Sequence, residues 1–131
     1  MDLSLTEDQE LMKSTAREFV QRECPKETLL DLDDTDAGYT DELWERATGM
    51  GWLGMLIPQE YGGSGNSLSD AAVVFEELGR GPVPGPYFSS GVVGALTVME
   101  AGTEEQKRNI LSQVASGHQT LGLAVTEPDY G

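Results

Sequence analysis

Four places in the chain hold residues whose types could do chemistry. They are the lone Cys24 with the lone His118, the adjacent Glu76 and Glu77, the glycine-rich YGGSG from Tyr61 to Gly65, and the triplet Thr126-Glu127-Pro128. A cysteine nucleophile needs an activating base, and nothing in the sequence links Cys24 to His118. His118 follows a helix-stopping Gly117 and reads as a solvated loop residue. Two carboxylates could share acid and base roles, but consecutive residues on a helix point to different faces, so Glu76 and Glu77 do not form such a pair. A phosphate-cradling G-x-G-x-x-G would need a third glycine where Leu68 stands, and no lysine follows in P-loop fashion. YGGSG therefore reads as a tight turn. Pro128 pushes Glu127 into an extended conformation, leaving the Thr126 hydroxyl and N–H at a strand end, free for a ligand or an ordinary turn.

Composition narrows the partners. Eight basic residues face 23 acidic ones, a net charge of −15 that a nucleic-acid backbone or an anionic membrane would repel. The acid sits at helix starts and on exposed faces (TEDQE, DLDDTD, TDELWE, TEEQK), as a solvated surface requires. One cysteine permits no disulfide framework and no cysteine metal site, so no metal is expected and a reducing, cytoplasmic setting is. The N-terminus MDLSLTEDQE lacks the basic-then-apolar order of a signal peptide. The most apolar stretch, Tyr87 to Ala101, is too short to span a bilayer.

The elements that would position these residues follow from caps and periodicity. Thr6 opens a capping box for a helix carrying Met12, Ala16, Phe19 and Val20, and Pro25 ends it. A polar acidic connection leads to Thr40, the cap of a second helix with Leu43, Trp44 and Ala47. Glycines and Pro58 bar regular helix from GWLGMLIPQEYGGSGNS, and Trp44 and Trp52 are expected in the core. Ser67 or Ser69 caps a third helix through Ala71, Val74, Phe75 and Leu78. After the stiff link of Pro82, Pro84 and Pro86, a fourth helix from about Tyr87 to Ala101 is apolar on nearly every face and should lie centrally. Thr103 opens a capping box, TEEQ, for a fifth with Ile110, Leu111 and Val114. LGLAVT then alternates as a strand does and has no partner strand. The fold class is all-α, a bundle of about five helices with one β-strand at its C-terminal end. The helical domain spans residues 1–119, and residues 120–131 begin a second, β-type domain that the chain leaves unfinished.

The order PQEYGGSG, FEELGRG, AGTEEQKRNIL, AVTEP and Gly131 resembles the acyl-CoA dehydrogenase family of flavoproteins over essentially the whole chain. The resemblance implies the N-terminal helical domain of such a subunit plus the first strand of its middle β-domain, and hence a fragment. It implies FAD, with Val125 and Thr126 along the isoalloxazine ring and Thr126 donating toward N5; Asp129 and Tyr130 stand where that motif usually carries small residues. It implies an acyl-chain pocket with Tyr87, Phe88, Ser89, Ser90 and Val93 near its closed end. The implied reaction is α,β-dehydrogenation of an acyl-CoA, a glutamate taking the α-proton while the β-hydride passes to flavin N5. That base comes from a C-terminal domain outside this sequence, Glu127 is structural, and the chain alone is expected to be inactive and to hold FAD weakly or not at all. Implied partners are the acyl-CoA, an electron-transfer flavoprotein as acceptor, and further subunits of a homo- or hetero-oligomer. Two alternatives stay open: a non-catalytic helical assembly subunit, and an oxidase or flavin monooxygenase of the same fold.

Overall fold

Thr6 starts α1 (Glu7–Glu23) through a complete capping box: its hydroxyl accepts from Gln9 N at 3.2 Å, and Gln9 Oε1 accepts the Thr6 N–H at 3.1 Å. The computed structural model describes residues 4–124. Thr40 caps α3 (Asp41–Gly49) and Ser67, rather than Ser69, caps α4 (Leu68–Arg80), where Asp70 closes the box. In each case a short side-chain oxygen satisfies a backbone donor that the helix itself cannot pair.

Pro25 does more than stop a helix. It ends α1 and also opens a further helix, α2 (Lys26–Asp33), with extended backbone at φ −64° and ψ 158°. A proline costs nothing at a helix start, where its missing N–H would be unpaired anyway. α2 seats Leu32 in the core and packs Leu29 against it, so the stretch expected as a polar connection is half helix.

Two long rods complete the architecture. Helix begins at residue 87, passes through a π-helical stretch (Ser89–Gly94) and continues as α5 (Ala95–Ala101). The second runs from α6 (Glu104–Gln106), capped by Thr103, through a π-helical stretch (Lys107–Leu111) into α7 (Ser112–Ala115). Gly102 separates the rods. Tyr87 and Val92 join the larger core cluster with Ala16, Phe19, Trp52 and Val74, while Ala95 joins a smaller one with Ile57, Leu111 and Val114. The first rod thus ties both cores together, as its apolar composition predicts. Trp52 is buried edge-on to Phe19 at 4.9 Å; Trp44 is only half-buried and donates its indole N–H to the Gly117 carbonyl at 3.0 Å.

The YGGSG loop is knitted to the segment before it. Gly63 N donates to Pro58 O, Ser64 N to Gly54 O, Gly65 N to Ile57 O and Asn66 N to Met55 O. Its amides are spent on the chain's own carbonyls, which makes it a turn and leaves none of these four to cradle a phosphate. The Tyr61 hydroxyl donates to Glu104 Oε2 at 3.0 Å, and that carboxylate pushes the phenol up to about 12, with burial adding to it. A phenol whose folded pKa exceeds its unfolded one stabilises fully below the unfolded value and loses that contribution as pH rises through the folded one. The contribution of Tyr61 is therefore expected to vanish between about pH 10 and 12. An ultraviolet titration of the Tyr61→Phe variant checks this: a late-ionising tyrosine should disappear while Tyr87, held up by burial, remains.

The segment 121–124 forms no strand, and the rest of the expected strand lies outside the described residues. Among the described residues no helix is long and apolar enough to cross a membrane, and no His, Cys, Asp and Glu cluster could hold a metal.

Candidate functional site

Where α4 ends and the first rod begins, an apolar cleft of ≈ 490 Å³ opens. Phe75, Leu78 and Gly79 reach it from the last turns of α4. The chain then turns back, with Gly81 N bonded to Glu77 O and Val83 N to Leu78 O. A Cβ on Gly81 would strike the Val20 side chain, so this turn packs closely against α1. Pro82, Val83 and Gly85 form the rim, and Tyr87 and Phe88 close the far wall. Phe75 and Phe88 meet edge to face at 5.9 Å, although Phe88 is 59% exposed.

Tyr87 is the one residue of this wall with a polar side chain. It is 3% exposed, its ring lies 5.0 Å from that of Trp44, and its hydroxyl has no hydrogen-bond partner among the described residues. Burial pushes its pKa well above that of an ordinary phenol.

Of the five residues assigned to an acyl pocket, Tyr87 and Phe88 line this cleft and Ser89, Ser90 and Val93 do not. Ser89 Oγ donates to Pro86 O at 3.2 Å. Ser90 is fully buried and clamps Leu121: its Oγ accepts from Leu121 N at 2.9 Å and donates to Leu121 O at 3.3 Å. Val93 is half-buried. The glycines on this rod permit close approach. A Cβ on Gly91 would sit 3.0 Å from Leu53 Cα, and one on Gly94 would sit 2.5 Å from Leu121 Cβ. Ser90 and Gly94 thereby fix the path of the chain just upstream of Val125 and Thr126, which, with Glu127, lie outside the described residues.

Phe75, Leu78 and Val83 were missed as wall residues. Their signal was the apolar stripe of α4 running into the proline link, which reads equally well as core. The remaining titratable candidates are structural. Glu76 is exposed and pairs with Arg80, whereas Glu77 is buried and takes a bidentate bond from Arg17, so the two do face apart. Cys24 is buried with its thiol pushed up by burial; His118 is exposed and bonded through Nδ1 to the Ser116 hydroxyl.

An all-helical domain with an apolar cleft between a helix end and the next helix start is a place to hold a hydrophobic group. Residues 6–118 match the family described as acyl-CoA dehydrogenase, N-terminal domain, and the chain belongs to that family. It is 34% identical over 129 residues to a 3-(aryl)acrylate reductase of Clostridium sporogenes (strain ATCC 15579), covering 96% of this chain and 33% of that one. Among solved structures, a variant of the Tcur3481-Tcur3483 steroid ACAD superposes with a TM-score of 0.80 at 30% identity, covering 88% of this chain and 32% of that one. The ChsE4-ChsE5 complex from Mycobacterium tuberculosis gives 0.80 at 29% identity, with 100% and 33% covered. The chain spans about a third of the length of the relatives named here.

Proposed function

We propose that the chain is the N-terminal part of an FAD-dependent enzyme that transfers a hydride between the β-carbon of an acyl-CoA and flavin, and that the cleft between α4 and the first rod takes the far end of the acyl group. The cleft itself carries the reading: it is apolar, walled by Phe75, Leu78, Val83 and Phe88, and it sits in the domain that matches the family. Its ≈ 490 Å³ falls within the range of sites that enclose whole drug-sized ligands, which favours a long or ring-bearing acyl group over a short one. Relatives named for a steroid and for arylacrylates support the same preference.

FAD, when bound, accepts or returns the hydride. Val125 and Thr126 are proposed to line it, with Ser90 and Gly94 holding the segment that leads there. A glutamate from elsewhere in the protein serves as base, so residues 1–131 alone are inactive. An electron-transfer flavoprotein is the proposed redox partner, and a homo- or hetero-oligomer the proposed assembly, which the two-component ChsE4-ChsE5 relative supports.

Gly79 supplies the test. It lines the cleft, and a Cβ there would meet nothing within 4 Å, so a side chain can be started at this position without a backbone clash. In the full-length protein, Gly79→Phe is expected to lower kcat/KM for decanoyl-CoA by roughly tenfold or more, the loss of about 1.4 kcal/mol of apolar contact, and to spare butyryl-CoA. An unchanged chain-length profile overturns the placement of the acyl group in this cleft. A full-length protein whose visible spectrum shows no flavin overturns the enzyme reading altogether.

A further inference from the structure

We infer that Tyr87 is a specificity-determining residue: its hydroxyl donates a hydrogen bond to an oxygen carried on the distal part of the acyl group, so that the cleft selects keto- or hydroxyl-bearing acyl chains over plain hydrocarbon ones. The inference rests on the reading of the cleft as the acyl site.

A buried hydroxyl without a partner is costly, and native proteins seldom leave one, so an unpaired group at a cavity wall points to a bond made only when the cavity is filled. Tyr87 meets that description: it is only 3% exposed, it lines the cleft, and its Oη bonds to nothing among the described residues. Every other side chain lining the cleft is apolar or absent. A phenylalanine would therefore fill the same space, keep the contact with Trp44 and avoid the cost, if hydrocarbon alone had to be bound. Gly85 lines the same cleft, and a Cβ built on it would come within 2.7 Å of the Tyr87 ring and 3.3 Å of Oη. Its φ of +136° is one that L side chains rarely adopt, so this stretch of wall is bare backbone beside the phenol.

The binding preference follows from the hydrogen bond. A ligand oxygen that reaches Tyr87 gains a bond, whereas a methylene leaves the phenol unpaired and buried still deeper. The difference expected is roughly five- to tenfold in affinity.

The test compares decanoyl-CoA with its 7-, 8- and 9-oxo derivatives on the full-length protein, in the wild type and in Tyr87→Phe. At least one oxo probe should bind five- to tenfold tighter than decanoyl-CoA to the wild type, and that ratio should fall to about one in the variant. The ligand-free Tyr87→Phe protein should also melt above the wild type, because an unpaired buried hydroxyl has been removed. A melt below the wild type shows that the hydroxyl has a partner and overturns the inference. So does an oxo preference that is missing from the wild type or that survives in the variant. Gly79→Phe separates this failure from that of the cleft: if it leaves decanoyl-CoA and the oxo probes unaffected, the acyl reading falls and the inference with it. If it weakens all of them while Tyr87→Phe leaves their ratio unchanged, only the role of Tyr87 falls.

Discussion

Gly63→Ala is expected to destabilise the chain by about 3 kcal/mol, lowering its melting temperature by roughly 10 °C. The cause is steric and local. A Cβ at Gly63 would land on the carbonyl oxygen of Ile57 and 2.5 Å from that of Gly54. Both are backbone atoms, and both carbonyls already accept loop amides, Gly65 N on Ile57 and Ser64 N on Gly54, so neither can turn aside without breaking a bond. The damage spreads because Ile57 is fully buried and anchors the smaller core with Leu111 and Val114. Gly79→Ala provides the contrast. That glycine is helical with open space around it, and the same added methyl is expected to stabilise by about 0.5–1 kcal/mol through helix propensity. Circular dichroism melts of the two variants measure the difference; equal shifts would sink the steric account.

The two glycines also show what was legible in the sequence. YGGSG could be read as a turn from the absence of phosphate-loop chemistry, but which glycine is indispensable depends on carbonyls six and nine residues upstream, whose approach no local pattern records. Caps were legible at Thr6, Thr40 and Thr103 because a cap is a bond between neighbours three residues apart. Pro25 was ambiguous for an equally physical reason: proline stops one helix and starts another with the same fixed φ, and the deciding Leu29 and Leu32 were hidden among acids. The ends of the first rod followed from Pro86 and Gly102, whereas its π-helical stretch depends on what packs around it. The cleft was legible only in part. Tyr87 and Phe88 belong to the cleft, but small residues such as Ser90 and Gly94 can mean either pocket volume or close packing. Both positions lie against Leu121, far along the chain, which no local pattern records. The order of motifs, by contrast, carried the family without any of this geometry, because those motifs are strings of neighbours.

Cutting the Arg17–Glu77 pair from its two sides is expected to give unequal losses, Arg17→Leu far exceeding Glu77→Leu. The pair fastens α1 to α4, with Arg17 Nε and Nη2 on the two carboxylate oxygens at 3.0 and 2.8 Å. Its members differ in environment: the Arg17 side chain is 45% exposed and that of Glu77 only 1%. Without Glu77 the guanidinium returns to water and a leucine fills the vacated apolar space. Without Arg17 the carboxylate is stranded in the core, with Arg80 Nε at 3.5 Å and the charge of Lys13 to help, and stranding a buried charge costs about 3 kcal/mol. The pH dependence separates this from a simple packing defect. In the wild type the Arg17 hydrogen bond outweighs burial and holds Glu77 below the usual carboxylate range. The pair's stabilisation is therefore present above the unfolded pKa and is lost as pH falls through the folded one. In Arg17→Leu burial is left largely unopposed and the carboxyl pKa rises, so that variant loses stability as pH climbs through the raised value. The gap between wild type and Arg17→Leu should thus be widest near neutrality and close toward about pH 4. Urea unfolding across that range measures it, and a gap independent of pH would mean that Arg17 holds α1 to α4 by packing alone.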